Sequence, residues 1–168
     1  SAATANGITD TITVTVTEVV AEKLEIQGAN KIKIGSETDV TAVFYPADTT
    51  IQRVEWSSDD EDIAAVDEKG HIVANNVGKA TIIATAKDVQ TEFVLEVEPI
   101  AVERIDITTT IGEKFKSGDE ADFTATVYPA NATYPEVTWS VENPAIVSVS
   151  EDGSIEALSC GETVVIAT

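Results

Sequence analysis

The sequence predicts an all-β chain built as two tandem two-sheet sandwiches, and three observations lead there. Apolar residues alternate with a period of two in short runs, the periodicity of a pleated strand. β-Branched residues dominate those apolar positions, and no stretch sustains a 3.6-residue period. A repeat divides the chain: Gly35, Pro46, Trp56, Gly70 and Gly78 recur, each 83 residues later, as Gly118, Pro129, Trp139, Gly153 and Gly161.

Five landmarks at one spacing set two modules of about 80 residues each, near the lower end of domain size. The expected division is a segment over residues 1–18, a first module over 19–98 and a second over 99–168. Taken in order, Ile12, Val14 and Val16 alternate with threonines in the first segment. Leu24 and Ile26 open the first module, followed by apolar runs at 41–44, 54–56 and 80–84 and by Phe93, Leu95 and Val97. In the second module Ile105 and Ile107 lead to runs at 123–127, 137–139 and 163–167. Turn chemistry separates them: Tyr45-Pro-Ala-Asp48 and Asp67-Glu-Lys-Gly70 in one module, Tyr128-Pro-Ala-Asn131 and Glu151-Asp-Gly153 in the other. Six or seven short antiparallel strands per module make a two-sheet sandwich.

The two ends of the chain complement each other. Gly161-Glu-Thr-Val-Val-Ile-Ala-Thr168 matches Gly78-Lys-Ala-Thr-Ile-Ile-Ala-Thr85, but the internal copy runs on to Val97. Residues 3–16 read as that continuation, with Ala3-Thr4 overlaying Ala84-Thr85. The C-terminal module is therefore expected to lack its last strand, and the N-terminal segment is expected to be a donor strand. Its Ile8, Ile12, Val14 and Val16 would face a core while the threonines face outward. A cut between modules would fall near Glu18 or Glu98, so this phase favours assembly over an arbitrary excerpt. The chain has no Met and is expected to be a processed or excised product.

Composition narrows the partners. Thirty acidic against ten basic residues give a net charge of -20, opposite to the cationic footprint that nucleic acid or an anionic membrane surface requires. No apolar run approaches a membrane span, so membrane insertion is not expected. His71 is the one histidine and Cys160 the one cysteine, which leaves no triad, no His-plus-Cys metal site and no intrachain disulfide. No cofactor, metal or enzymatic activity is expected. Cys160 stands where the first module has Val77 and reads as a small buried hydrophobe. Asp59-Asp-Glu-Asp62 is the densest carboxylate run, but its counterpart, Val141-Glu-Asn-Pro144, holds one, so it reads as a solvated loop rather than a calcium site. Asn131-Ala-Thr133 reads as a turn rather than a glycosylation acceptor. Trp56 and Trp139 read as core aromatics, and with Gly78 and Gly161 they are the core landmarks.

The first module's motif runs from Gly35 through Val43-Phe-Tyr-Pro-Ala-Asp48, Val54-Glu-Trp-Ser-Ser58, Ile63-Ala-Ala-Val66, Asp67-Glu-Lys-Gly-His-Ile-Val73 and Gly78-Lys-Ala-Thr-Ile82. The second repeats it as Val127-Tyr-Pro-Ala-Asn-Ala-Thr133, Val137-Thr-Trp-Ser140, Ile146-Val-Ser-Val149, Glu151-Asp-Gly-Ser-Ile155 and Gly161-Glu-Thr-Val-Val-Ile166. This order resembles the bacterial immunoglobulin-like domain of group 2, a module of intimin- and invasin-type adhesins and of phage and surface-layer proteins. The resemblance covers essentially the whole chain. It implies tandem immunoglobulin-like β-sandwiches in an extracellular or cell-surface bacterial protein, and it implies no particular ligand, because the family mostly supplies spacers and display stalks.

Two functions follow as expectations. In the first, the chain is the structural subunit of an extracellular filament or surface appendage whose partner is itself: the donor strand enters the incomplete module of the next molecule, head to tail. In the second, the chain is a fragment of a multi-domain surface adhesin or spacer stalk, and its ends complement each other because a periodic sequence was cut at one phase. The linkers Glu18-Val-Val-Ala21 and Glu98-Pro-Ile-Ala101 lack Gly and Ser and are expected to be stiff.

Overall fold

The computed structural model describes residues 2–3, 9–50, 52–112 and 115–168, and among them it contains strands and turns but no helix. The chain divides into two compact units, Ser1–Val97 and Glu98–Thr168.

The first unit contains β1 (Ala2–Ala3), β2 (Thr9–Asp10), β3 (Lys23–Gln27), β4 (Lys31–Lys33), β5 (Glu37–Asp39), β6 (Thr41–Tyr45), β7 (Glu55–Ser58), β8 (Ala64–Val66), β9 (His71–Ala74), β10 (Gly78–Ala86) and β11 (Val89–Glu98). One layer combines the β3–β6 pair with the sheet β5-β9-β8; the other is the four-stranded sheet β4-β11-β10-β7. The core lies between them. Val40, Ala64, Ile72 and Ala74 from the first layer meet Ala80, Ile82, Leu95 and Val97 from the second, and Trp56 packs on their margin. The period of two produces this directly: Ala80, Ile82, Ala84 and Ala86 all point inward from β10, and Leu95 and Val97 from β11. Ile82 and Leu95 are fully buried, each contributing about 1.5–3 kcal/mol of transfer free energy.

The β10–β11 hairpin is the unit's longest ladder, in antiparallel register from Gly78↔Val97 to Ala86↔Val89. β11 therefore fills the middle of its sheet, with β10 on one side and β4 on the other. Gly78 opens β10 at φ +155°, a backbone that L side chains rarely adopt, and a Cβ there would meet Ile63 Cδ1 at 2.6 Å. Gly161 repeats this at φ +155° against Ile146 Cδ1 at 2.5 Å, which explains why both positions hold glycine.

The second unit contains β12 (Arg104–Thr109), β13 (Glu120–Tyr128), β14 (Trp139–Val141), β15 (Val147–Val149), β16 (Ser154–Ala157) and β17 (Val165–Ala167). Its first layer is the complete sheet β12-β13-β16-β15. Here β13 is continuous where the first unit breaks β5 from β6 at Val40, although Val40 and Phe123 each donate their amide to the matching glycine carbonyl, Gly70 or Gly153, at 2.9 Å. The second layer is only the pair β14–β17. Among the described residues no strand takes the place that β11 holds in the first unit.

Three sequence expectations change in the structure. Residues 11–17 form no strand in the single chain; an isolated strand leaves its amides and carbonyls without partners, so alternation alone does not create one. The run at 137–139 is strand only from Trp139, and the run at 163–167 only from Val165, although Thr138 and Thr168 still exchange backbone hydrogen bonds at 2.8 and 2.9 Å just outside them. Cys160 is exposed rather than buried. Its counterpart Val77 sits beside Gly78, which is covered by Val97 of β11, and among the described residues of the second unit nothing supplies that cover.

Candidate assembly site

Among the described residues the second unit's second layer is the β14–β17 pair alone, so no described strand lies on the other edge of β17 and the core beneath it is partly exposed. β17 pairs with β14 in the register Trp139↔Ala167, Ser140↔Ile166 and Val141↔Val165. This repeats the β7–β10 register of the first unit, in which Trp56 faces Ala84 and Ser58 faces Ile82. The paired side of β17 is therefore native-like, and what differs is its other edge.

Below that edge lies a groove of ≈ 780 Å³ whose apolar walls include Ile111, Phe115, Phe123, Ile146, Ile155 and Val165, with Glu142 and Glu162 at its rim. The difference between the two units at this edge registers in burial. Ile82 and Ala84 are fully buried in the first unit, whereas their counterparts Val165 and Ala167 are half-buried. The second unit's core cluster is correspondingly small, with Ala121, Val147 and Ile155 at its centre and Phe123 packed against it. Phe123 in turn meets the Trp139 ring, centroids 5.9 Å apart. Both tryptophans are half-buried and lie against their landmark glycines: a Cβ at Gly70 would sit 3.2 Å from the Trp56 ring, and one at Gly153 would sit 3.0 Å from Trp139 Nε1.

The segment expected to fill such a groove is present and uncovered. Ile12, Val14 and Val16 are 85%, 77% and 89% exposed, so the expected burial against a core is not met in the single chain. Ile8 lies outside the described residues. A hydrogen-bond pair fixes the alignment of this segment with β11: Val19 N donates to Thr50 Oγ1 (3.0 Å) and Thr50 N to Val19 O (2.9 Å). In the second unit Ile100 N donates to Thr133 Oγ1 (2.8 Å) and Thr133 N to Ile100 O (2.9 Å). Val19 is thus the counterpart of Ile100. Counting back without a gap, Val16, Val14 and Ile12 match Val97, Leu95 and Phe93. The same bonds account for Thr133 as a structural turn residue, a role its sequence motif alone leaves open.

The remaining polar candidates are engaged locally. Asp59 accepts the Thr81 amide at 2.6 Å, which holds its carboxyl below the usual range. Asp60 Oδ1 accepts the amides of Asp62 and Ile63 at 3.1 and 3.3 Å, closing the turn. Asp67 is lowered by the amides of His71 and Lys69, and Asp152 by the Ser150 hydroxyl. His71 bonds Asp39 through Nδ1 at 2.8 Å and approaches Glu37 through Nε2 at 3.5 Å; the Asp39 bond, then the charges of Asp39, Glu37 and Asp67, raise it above its ordinary value. Among the described residues no group of three or more His, Cys, Asp or Glu is arranged to hold a metal ion, and no helix is long and apolar enough to cross a membrane.

A chain with this two-layer fold, repeated and sharing the same landmark positions, is a tandem immunoglobulin-like β-sandwich. The model of the bacterial Ig-like domain (group 2) matches residues 9–97 and 101–168, and the chain belongs to that family. It is 32% identical over 141 residues to an uncharacterized protein of Clostridium acetobutylicum, covering 82% of this chain and 14% of that one. It is 33% identical over 140 residues to an Ig-like virion protein of Serratia phage KSP90, covering 76% of this chain and 52% of that one. Among solved structures, the S-layer protein SbsC aligns over 90% of this chain and 26% of its own, at 16% identity and a TM-score of 0.40. The chain thus spans about a seventh of one sequence relative and about half of the other.

Proposed function

We propose that the chain is a structural subunit of an extracellular bacterial filament or surface appendage, joined head to tail by strand completion. One observation carries this reading: the second unit has an open β17 edge above an apolar groove where the first unit seats β11, and residues 11–17 carry β11's apolar spacing while lying exposed. Adding an extended segment to a free sheet edge supplies main-chain hydrogen bonds, and alternate side chains supply the specificity. Because donor and acceptor lie at different places on the molecule, the contact does not close on itself and generates an open polymer. The partner is a second copy of the chain. The net charge of -20 supports a role away from nucleic acid and anionic lipid, and the relative named as a virion protein supports display on an exterior surface.

A second reading is favoured by the lengths of the relatives: the chain is a piece of a longer surface array, and the groove is filled by residues that follow in the longer protein. Sedimentation velocity with negative-stain imaging of the purified chain separates the two. Concentration-dependent growth into linear polymers is expected. A monomer that persists at every concentration overturns self-assembly and leaves the array reading.

A further inference from the structure

Resting on that head-to-tail reading, we infer that the groove selects its partner strand by charge: Glu162 on the acceptor edge faces Thr15 of a second copy, and the site admits the uncharged strand 11–17 while disfavouring one of β11 type. The register follows from the first unit, where Gly78 faces Val97, Lys79 faces Glu96, Ala80 faces Leu95, Thr81 faces Val94 and Ile82 faces Phe93. The acceptor side transposes through the shared β7–β10 and β14–β17 pairing, and the donor side through the shared Val19–Thr50 and Ile100–Thr133 bonds. In the joined state Val16 then lies opposite Gly161, Thr15 opposite Glu162, Val14 opposite Thr163, Thr13 opposite Val164 and Ile12 opposite Val165.

Under this transposition the donor's inward positions stay apolar, the acceptor's inward Ala80 becomes Thr163, and outward positions change on both partners. β11 carries Glu92, Glu96 and Glu98 where the N-terminal segment carries Thr11, Thr15 and Thr17. Across from Glu96, Lys79 has become Glu162. Glu96 is also held from β4, where Lys31 bonds its carboxylate at 2.8 Å. A carboxylate at position 15 would instead meet the like charge of Glu162 directly across the ladder, an arrangement that destabilises a strand pair. Residues 11–17 have no charged side chain at all in a strongly acidic protein, which suits a strand that must approach an acidic rim from another molecule.

The test measures joining of the full chain by sedimentation at low salt. Thr15→Glu is expected to weaken joining by about fivefold, Glu162→Lys alone to stay within about twofold, and the double variant to recover to within about twofold of the parent. Added salt is expected to shrink the Thr15→Glu effect, since the pair is exposed. Thr15→Glu joining as well as the parent, or no recovery in the double variant, overturns charge selection while a polymerising parent keeps the proposed function standing. A parent that never joins removes both. Register is read independently by Thr17→Cys, which lies opposite the native, exposed Cys160 at the roughly 4.5–5.5 Å Cα separation of antiparallel partners, within disulfide reach. Mild oxidation should give a ladder of covalent oligomers that Cys160→Ser abolishes. A disulfide closed within one monomer, or oligomers that survive Cys160→Ser, overturns the register between copies.

Discussion

Val14→Asp should abolish joining without affecting the folded chain. In the free molecule Val14 is 77% exposed, so a carboxylate there meets water and leaves the melting temperature unchanged. In the joined state Val14 takes the place of Leu95, which is fully buried in the first unit. The variant forfeits the transfer of a branched apolar side chain, about 1.5–3 kcal/mol, and adds an unpaired buried carboxylate at about 3–5 kcal/mol. At about 1.4 kcal/mol per tenfold change, joining weakens by at least about 10³-fold. Thr13→Asp is the control, because residues 13 and 14 face opposite sides of a strand; its counterpart Val94 is 56% exposed, and the change should alter joining by less than about fivefold. Sedimentation velocity over a concentration series, with thermal unfolding of each variant alongside, reads both. Equal joining by the two variants, loss by Thr13→Asp alone, or a Val14→Asp chain that melts earlier than the parent would refute the reasoning.

Deletion of residues 1–17 should leave the first unit's melting transition in place, because its core clusters draw on nothing before Ala21, while joining disappears; continued polymerisation of the deleted chain would exclude the donor-strand role. The second unit should melt below the first, having the smaller buried cluster, and a peptide of residues 8–18 should raise that lower transition in the deleted chain. Gly78→Ala forces a Cβ onto Ile63 at a positive φ and should destabilise the first unit by about 1–3 kcal/mol, a fall of roughly 4–20 °C in its melting temperature; an unchanged transition would contradict the packing assigned to Gly78. His71, raised chiefly by Asp39, contributes stability that is full below about pH 6.5 and fades as the pH climbs through the raised value, because the folded state holds the proton more tightly. His71→Gln should flatten that slope in first-unit stability from pH 6 to 9, and an identical pH profile would remove the assigned role.

Much of the fold is legible because it is written twice. Repeated landmarks such as Trp56 with Trp139 and Gly78 with Gly161 mark equivalent strands by their common spacing, and the period of two assigns their inward faces. What the sequence leaves hidden depends on contacts rather than patterns. Thr11 to Thr17 has the alternation of a strand, but strand formation needs a paired strand, and none is laid along residues 11–17 among the described residues. Cys160 aligns with Val77, but Val77 is itself only half-buried, so alignment with a hydrophobe does not by itself place Cys160 in the core. The Glu162–Thr15 exchange is invisible in either stretch alone, since it emerges only when β10–β11 pairing supplies the register. The loop reading of Asp59-Asp-Glu-Asp62 and the turn reading of Asn131-Ala-Thr133 are legible from sequence, while the amides that Asp59 and Asp60 accept and the Ile100 amide that Thr133 accepts are not, since a pattern of residue types does not show its hydrogen-bond partners.

Amide hydrogen exchange followed across protein concentration tests strand completion most directly, because the same rungs must close on both partners. The amides of residues 12–17, which lie outside any strand in the single chain, should exchange fast when dilute, and as particles grow they should become protected together with those along the unpaired edge of β17. Particles that grow while residues 12–17 keep exchanging at the unfolded rate, or protection already complete in the dilute monomer, would contradict joining between copies through this strand.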